Sequence, residues 1–280
     1  YGAGCSAFAC PDADSNDFLM GRNFDFNHRD STGERVMIPV IAVHTAPKGG
    51  KKSVSFVDAL FVSYKSGFYT DGKSDLSLLM ALPYLLLDGI NEDGFAVSVL
   101  KLDGKPTKQQ DPEKKSIFTT VAMRMLLDRA STVDQAIEML NQYNMCMDNE
   151  EASYHFFMAD ATGDYAIIEY TKNNPLDPEE NPTKMEVLKG DNVWRYVTNF
   201  YTSPSMADSP DGINNSKHGK DRYDTLCCSM ASSQYKLNSD GVMDLLSKVS
   251  QGPEVQLSTG FTQWSEVFNL TKRTVKMSIL

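Results

Sequence analysis

A chain of 280 residues is long enough to bury one large core or two small ones. With 41% hydrophobic and 23% charged residues it has the composition of a globular protein, which excludes global disorder. Lys plus Arg number 27 against 37 Asp plus Glu; the resulting charge of −10 repels phosphate backbones, so nucleic acid is not an expected partner.

Turn clusters and apolar periodicity predict the elements in order. Residues 5–9 and 18–26 read as two strands across a polar turn rich in Asp and Asn at 11–17, so the chain opens on a β-hairpin. Strands are expected again at 36–45 and 53–63 around the Lys/Gly turn at 48–52, and at 94–100 after the turn Asn91-Glu92-Asp93-Gly94. The apolar run at 76–87 is interrupted by Ser77 and Pro83 and falls short of the ~20 residues a membrane-spanning helix needs, so no transmembrane segment is expected. Residues 116–143 carry helical periodicity, with residues 131–134 capping a second helix. Strands resume at 154–159, 165–171, 185–188 and 193–198, helix follows Lys220, and strands at 261–269 and 274–279 close the chain. Without a Ser/Gly-rich or Pro-rich linker, this is one α+β domain.

Gly2-Ala3-Gly4-Cys5-Ser6-Ala7 has the spacing of a dinucleotide fingerprint, but a strand rather than a helix follows it, so no nucleotide cofactor is expected. His28, His44, His155 and His218 lack ligand spacing, and a lone His near a strand end is usually a surface or satisfied residue; no metal is expected. Cys5, Cys10, Cys146, Cys227 and Cys228 show no CxxC spacing, and their odd number leaves at least one thiol free, whether the rest are reduced or paired. The chain opens at Tyr1 rather than Met, so an upstream segment is expected to have been removed, by processing or otherwise, and any targeting peptide lies outside the sequence; localisation cannot be read directly, with a secreted or periplasmic location favoured over a cytoplasmic one.

The Gly4-Cys5 step carries more chemistry. A small residue before Cys at the start of a hairpin suits a peptide bond that is cut to expose a new amino terminus. A terminal Cys holds nucleophile and base on one residue, because its α-amine, with a reference pKa of about 7.7 to 8.0, can shuttle the thiol proton. A buried structural Cys in an edge strand is the competing reading of this dipeptide taken alone.

Further motifs follow in order: Gly21-Arg22-Asn23-Phe24-Asp25-Phe26, Asn91-Glu92-Asp93-Gly94, Val197-Thr198-Asn199-Phe200, Asp221-Arg222-Tyr223 and Thr262-Gln263-Trp264-Ser265. Together with Cys5 they resemble the N-terminal-nucleophile (Ntn) amidases that include choloylglycine hydrolases, penicillin V acylases, acyl-CoA:6-aminopenicillanic acid acyltransferases and acid-ceramidase-like amidases. The resemblance spans nearly the whole chain and implies a four-layer αββα sandwich over residues 5–280, with residues 1–4 as the tail of a pro-segment. It makes Cys5 the nucleophile, with Arg22 and Asp25 beside it. A guanidinium favours the thiolate, and a carboxylate orients the amine. It makes Asn199 a side-chain oxyanion donor and the backbone N–H of Lys101 a second one. Arg222 is implied near the nucleophile, and the role of Asn91 is expected to be structural.

The expected reaction is hydrolysis of a linear, non-peptide C–N amide in a small N-acyl compound after cleavage at Gly4-Cys5, without a cofactor. Phe24 and Phe26 alternate with the motif residues, and with the apolar run at 76–87 they point to an apolar acyl group. Acyl transfer to an amine or thiol, or a non-catalytic binding role, are the alternatives; self-association into a homo-oligomer is left open.

Overall fold

The computed structural model describes residues 3–29, 32–36, 38–63, 76–147, 152–252 and 260–279. In chain order these form β1 (Ala3–Pro11), β2 (Phe18–Phe26), β3 (Val40–Thr45), β4 (Ser53–Asp58), α1 (Leu60–Ser63), a 3-10 segment (Leu76–Tyr84), β5 (Asp88–Asn91) and β6 (Ala96–Asp103). There follow β7 (Lys115–Phe118), α2 (Thr119–Arg129), α3 (Val133–Leu140), β8 (Tyr143–Cys146), β9 (Ala152–Ala159), β10 (Tyr165–Thr171), β11 (Lys184–Lys189) and β12 (Tyr196–Val197). The chain ends with α4 (Lys220–Ser232), α5 (Ser239–Lys248), β13 (Phe261–Asn269) and β14 (Thr274–Ile279).

Two sheets dominate. One is five-stranded in the order β12-β1-β2-β13-β14, and the other seven-stranded in the order β11-β10-β9-β6-β5-β4-β3. Because successive strand residues point to opposite faces, each sheet can bury both sides. Ala7, Met20, Phe24, Trp264 and Phe268 from the first sheet meet Ile90, Ala96, Leu100, Phe157 and Ile167 from the second in a central core. The alternate residues Phe8, Cys10 and Leu19 pack under Leu226, Met230, Val242 and Leu246 of α4 and α5. Val97, Val99, Phe156, Met158 and Ile168 pack under Ala122, Leu126, Ala136 and Leu140 of α2 and α3. Helices thus cover both outer faces, giving the αββα order the sequence led us to expect.

Several boundaries differ from the sequence reading for local reasons. The strand expected over 53–63 stops at Asp58, whose Oδ1 accepts the N–H of Leu60 at 2.9 Å and starts α1. The one expected over 36–45 begins only at Val40, after Pro39. Within 193–198 only Tyr196–Val197 is strand, since the Asp191 side chain accepts from Val193 N and caps a 3-10 turn at Asn192–Trp194. Both ends of the expected helical block, Lys115–Phe118 and Tyr143–Cys146, instead pair as a small parallel ribbon, β7 with β8. The turn at 91–94 is as expected: Gly94 takes φ +84°, and Asn91 Oδ1 accepts the N–H of Asp93 and Phe95. Nδ2 of Asn91 donates to the carbonyls of Leu127 and Ala130, tying the turn to the end of α2.

Candidate active site

The opening hairpin places the first group of residues. In the β1–β2 register Cys5 lies opposite Phe24, Gly4 opposite Asp25 and Ala7 opposite Arg22. Cys5 and Arg22 therefore share the face between the sheets, and Asp25 sits on the other face, level with the Gly4-Cys5 bond. Cys5 is buried, and its thiol is free, as are those of the other four cysteines.

Arg22 is fully buried beside the Cys5 thiol. Its Nη2 donates to Val99 O at 3.0 Å, Nη1 donates to Asn23 O, and Nε lies 3.4 Å from Asp88 Oδ2. Burial opposes its charge, but attraction from the Cys5 thiolate, Asp88 and Glu266 outweighs that and holds it above the ordinary guanidinium value. Asp88 and Glu266 are also fully buried here. Burial pushes Asp88 up to about 6, and burial followed by repulsion from Asp88 raises Glu266 well above the usual carboxyl range. A permanent cation at the thiol is thus matched by two carboxyls, not both of which ionise readily.

Asn199 and Arg222 approach from the far half of the chain. The N–H of Cys5 donates to Asn199 Oδ1 at 2.8 Å, and Arg222 Nη2 donates to the same oxygen at 2.7 Å. Asn199 Nδ2 donates to Lys101 O at 2.8 Å. Two donors on one side and a carbonyl on the other fix the orientation of the carboxamide. Lys101 N–H shares the strand edge of its carbonyl, because N–H and C=O of one residue in an antiparallel strand point the same way. Arg222 Nη1 donates to Cys5 O, donates to Ser6 Oγ at 2.9 Å, and lies 3.7 Å from Asp25 Oδ2.

Asp25 has two further partners. Thr262 Oγ1 and Gln251 Nε2 each donate to it at 2.6 Å, and Gln251 N donates in turn to Thr262 Oγ1 at 2.8 Å. A Cβ on Gly4 would stand 2.3 Å from Gln251 Nε2 and 2.9 Å from Asp25 Oδ2, so any larger residue here must displace the ends of these two side chains.

On the inner face Phe24 stacks on Trp264 with ring centroids 4.2 Å apart and on Phe26 at 5.8 Å, and Phe26 meets the edge of Phe61 at 5.8 Å. Phe24 is buried, Phe26 half-buried and Phe61 exposed. Of the apolar run at 76–87, Leu82 and Leu86 pack into the core under α2. The side chains of residues 76–78 lie outside the described residues.

Arg22, Asn199 and Arg222 therefore converge on the thiol, the amide or the carbonyl of Cys5, with Asp25, Phe24 and Phe26 on the strand beside it and Lys101 joined to them through Asn199, whereas Asn91 ties its turn to α2. Residues 5–235 match the family described as linear amide C–N hydrolases, choloylglycine hydrolase family. The chain belongs to this family. A penicillin V acylase of Pectobacterium atrosepticum is 34% identical over 92 residues, 30% of this chain and 24% of that enzyme, so the chain aligns with about a quarter of that relative's length. The fold matches the conjugated bile acid hydrolase of Clostridium perfringens with TM-score 0.65 at 14% identity, covering 98% of this chain and 89% of that one. It matches penicillin V acylase of Agrobacterium tumefaciens with TM-score 0.64 at 17% identity, covering 98% and 83%. These likenesses establish the Ntn-hydrolase fold of this family member.

Sequence reasoning missed Asp88, Glu266, Gln251 and the role of Thr262, although Thr262 opens one of the quoted motifs. Two of the histidines are satisfied core residues rather than surface ones. His28 and His155 are buried, and each is paired with a carboxylate, Asp58 at 2.7 Å and Glu169 at 3.2 Å. Among the described residues no group of three or more His, Cys, Asp or Glu could hold a metal ion, and no helix is long and apolar enough to cross a membrane.

Proposed function

We propose that this protein hydrolyses linear, non-peptide C–N amide bonds of N-acyl compounds with Cys5 as nucleophile, after cleavage of the Gly4-Cys5 bond. The observation that carries this reading is the Cys5 amide itself: its N–H lies on Asn199 Oδ1, its carbonyl on Arg222, and its thiol beside Arg22.

Maturation begins when Cys5 Sγ attacks the Gly4 carbonyl carbon. A thioester forms, the C–N bond breaks, and the nitrogen takes up a proton to become the α-amine. Water then hydrolyses the thioester, releasing the Gly4 carboxylate and the thiol. Gly4 and Asp25 are opposite one another in register, so Asp25 stands where it can orient the freed amine, with Asn199 Oδ1 as the amine's second acceptor.

In turnover the thiolate, favoured by Arg22, attacks the substrate carbonyl. A carboxamide nitrogen carries two N–H groups; Lys101 O takes one from Asn199, which leaves the other for the oxyanion beside the Lys101 N–H. The Cys5 α-amine passes the thiol proton to the leaving nitrogen, the amine departs, and water resolves the acyl-enzyme. The aromatic row Phe24, Phe26, Trp264 and Phe61 supports an apolar acyl group. The names of the structural relatives, a bile acid hydrolase and a penicillin V acylase, support the same class.

The test is a panel of amides sharing one chromogenic amine, with acyl groups from acetyl through phenoxyacetyl to long-chain and steroidal. Turnover should favour the larger apolar acyl groups, and acyl groups should appear as free acids. Best turnover on acetyl, or acyl recovered only on an added amine or thiol, overturns the reading.

A further inference from the structure

The loop that presents Asn199 is clamped from within the sandwich by a buried ion pair. His155 on β9 and Glu169 on β10 are both fully buried. Imidazole Nδ1 lies 3.2 Å from Glu169 Oε1, and Nε2 lies 2.9 Å from the carbonyl oxygen of Thr198, the residue before Asn199. Glu169 holds the other side of the loop. Its Oε1 accepts the N–H and the hydroxyl of Thr202, each at 2.9 Å, and its Oε2 accepts the N–H of Ser203 at 2.9 Å. Thr198 Oγ1 donates to Gly219 O at 3.1 Å, which joins the same loop to the start of the helix carrying Arg222.

The partners dictate the protonation of the ring. A carbonyl oxygen only accepts, so Nε2 carries hydrogen. Glu169 takes two N–H groups and a hydroxyl besides the imidazole, which is the environment of a carboxylate and not of a carboxylic acid. Burial opposes its ionisation, yet the hydrogen bond and charge of His155 and the N–H groups of Thr202 and Ser203 hold it below the usual range. Nδ1 therefore donates as well. A ring with two N–H groups is an imidazolium.

We propose that His155, as an imidazolium paired with Glu169, is a positioning residue that fixes the Thr198 carbonyl and so sets the Asn199 carboxamide against Cys5. The proposal rests on the roles given to Cys5 and Asn199 above. A neutral ring keeps one N–H, so either Thr198 O loses its donor or the Glu169 charge loses its counter-ion in a buried site, and either loss loosens the loop.

The other charged and titratable groups near the pair are already engaged or point elsewhere. Glu186 on β11, opposite Glu169, accepts from Ser205 Oγ at 2.8 Å. On β6, opposite β9, Lys101 and Asp103 pair at 3.5 Å and Asp103 pairs with His218 at 3.0 Å. Arg222 meets the loop at Asn199 rather than at His155. Tyr201 on the loop and Tyr223 on α4 are buried, with hydroxyls raised chiefly by burial and secondarily, among other causes, by the Glu169 charge, so both stay neutral.

The test combines nitrogen NMR of histidine-labelled protein with kinetics of Glu169→Gln, using phenoxyacetyl amides as probe. In the folded wild type, His155, assigned by its loss in His155→Asn, should show hydrogen on both ring nitrogens, as its two acceptors require. In Glu169→Gln the ring loses its counter-charge. kcat should fall roughly 10-fold at the alkaline end, with KM unchanged, and recover as pH falls and the ring is protonated again. The Asn199 side-chain amide resonances should move with the same midpoint. A neutral ring in the folded wild type, a loss that is uniform with pH, or Asn199 resonances that do not follow the ring overturn the proposal. If the wild type cleaves no amide, the proposed function fails while the ring and Asn199 resonances still decide this inference. If Glu169→Gln does not fold, the wild-type ring decides it.

Discussion

The N–H of Cys5 donates to Asn199 Oδ1 at 2.8 Å although 194 residues separate the two in the chain. The bond forms because β12 pairs antiparallel with β1, Ala7 opposite Val197, so the residue two beyond Val197 arrives level with Cys5, two before Ala7. The carboxamide then has its oxygen on Cys5 and Arg222 and its nitrogen on Lys101 O.

Asn199→Ala should lose about 10²- to 10³-fold in kcat by removing one oxyanion donor. Asn199→Asp keeps an acceptor for Cys5 and Arg222 but has no N–H, so it should lose kcat to a similar extent while keeping a melting temperature nearer that of the wild type. Kinetics and thermal unfolding of both variants separate the donor role from a packing role.

Gly4→Val should slow maturation at least about 10-fold. The new side chain would stand where Gln251 Nε2 and Asp25 Oδ2 now lie, and displacing them disturbs the groups beside the bond to be cut. Intact mass against time follows the cleavage. Once cut, the variant should turn over amides like the wild type, since residue 4 is gone.

The buried carboxyl pair makes a stability prediction with a definite sign. Asp88 is raised from 3.8 to about 6, and Glu266 is raised well above 4.5, so both bind protons more tightly in the folded chain than in the unfolded one. Their contribution is complete below the unfolded values and is lost as pH rises through about 6 and beyond. Glu266→Gln removes one titration, so its stability relative to the wild type should rise steadily from acid to neutral pH. Melting temperatures of both proteins across that range test this; a difference that stays constant with pH contradicts it.

Phe26→Ala should raise KM for amides with large apolar acyl groups more than for acetyl amides, at a small cost in stability. Phe26 is only half-buried and touches the exposed Phe61, whereas Phe24 sits in the core against Trp264 and its truncation should cost about 3–5 kcal/mol. Comparing KM across the acyl series with the two melting curves distinguishes a lining residue from a core residue.

The opening hairpin was legible because its signals are local: an apolar start at 18–20, Phe24 and Phe26 alternating with polar residues, and a polar turn before them. Cys5, Arg22, Asp25, Asn199 and Arg222 were legible because each sits in a short motif whose order is shared with a family. Gln251 and Glu266 were not: Glu266 meets Arg22 only through the pairing of β13 with β2, and Gln251 reaches Asp25 from the segment after α5. His155 was hidden for a related reason: a single histidine in a strand gives no sign of a glutamate that β10 places beside it. Short structural breaks such as the 3-10 turn at Asn192–Trp194 depend on one capping aspartate and vanish inside a β-rich stretch.

Under the proposed function Cys5, once its amine is free, carries the acyl group. The direct measurement is mass spectrometry of the active protein quenched during turnover of a phenoxyacetyl amide, with sequencing of the labelled peptide. An acyl adduct is expected on a peptide whose first residue is Cys5, with no adduct and no cleavage of the Gly4-Cys5 bond in Cys5→Ala. Full turnover by a protein that still carries Gly4, or an adduct on any residue other than Cys5, would contradict the proposed function.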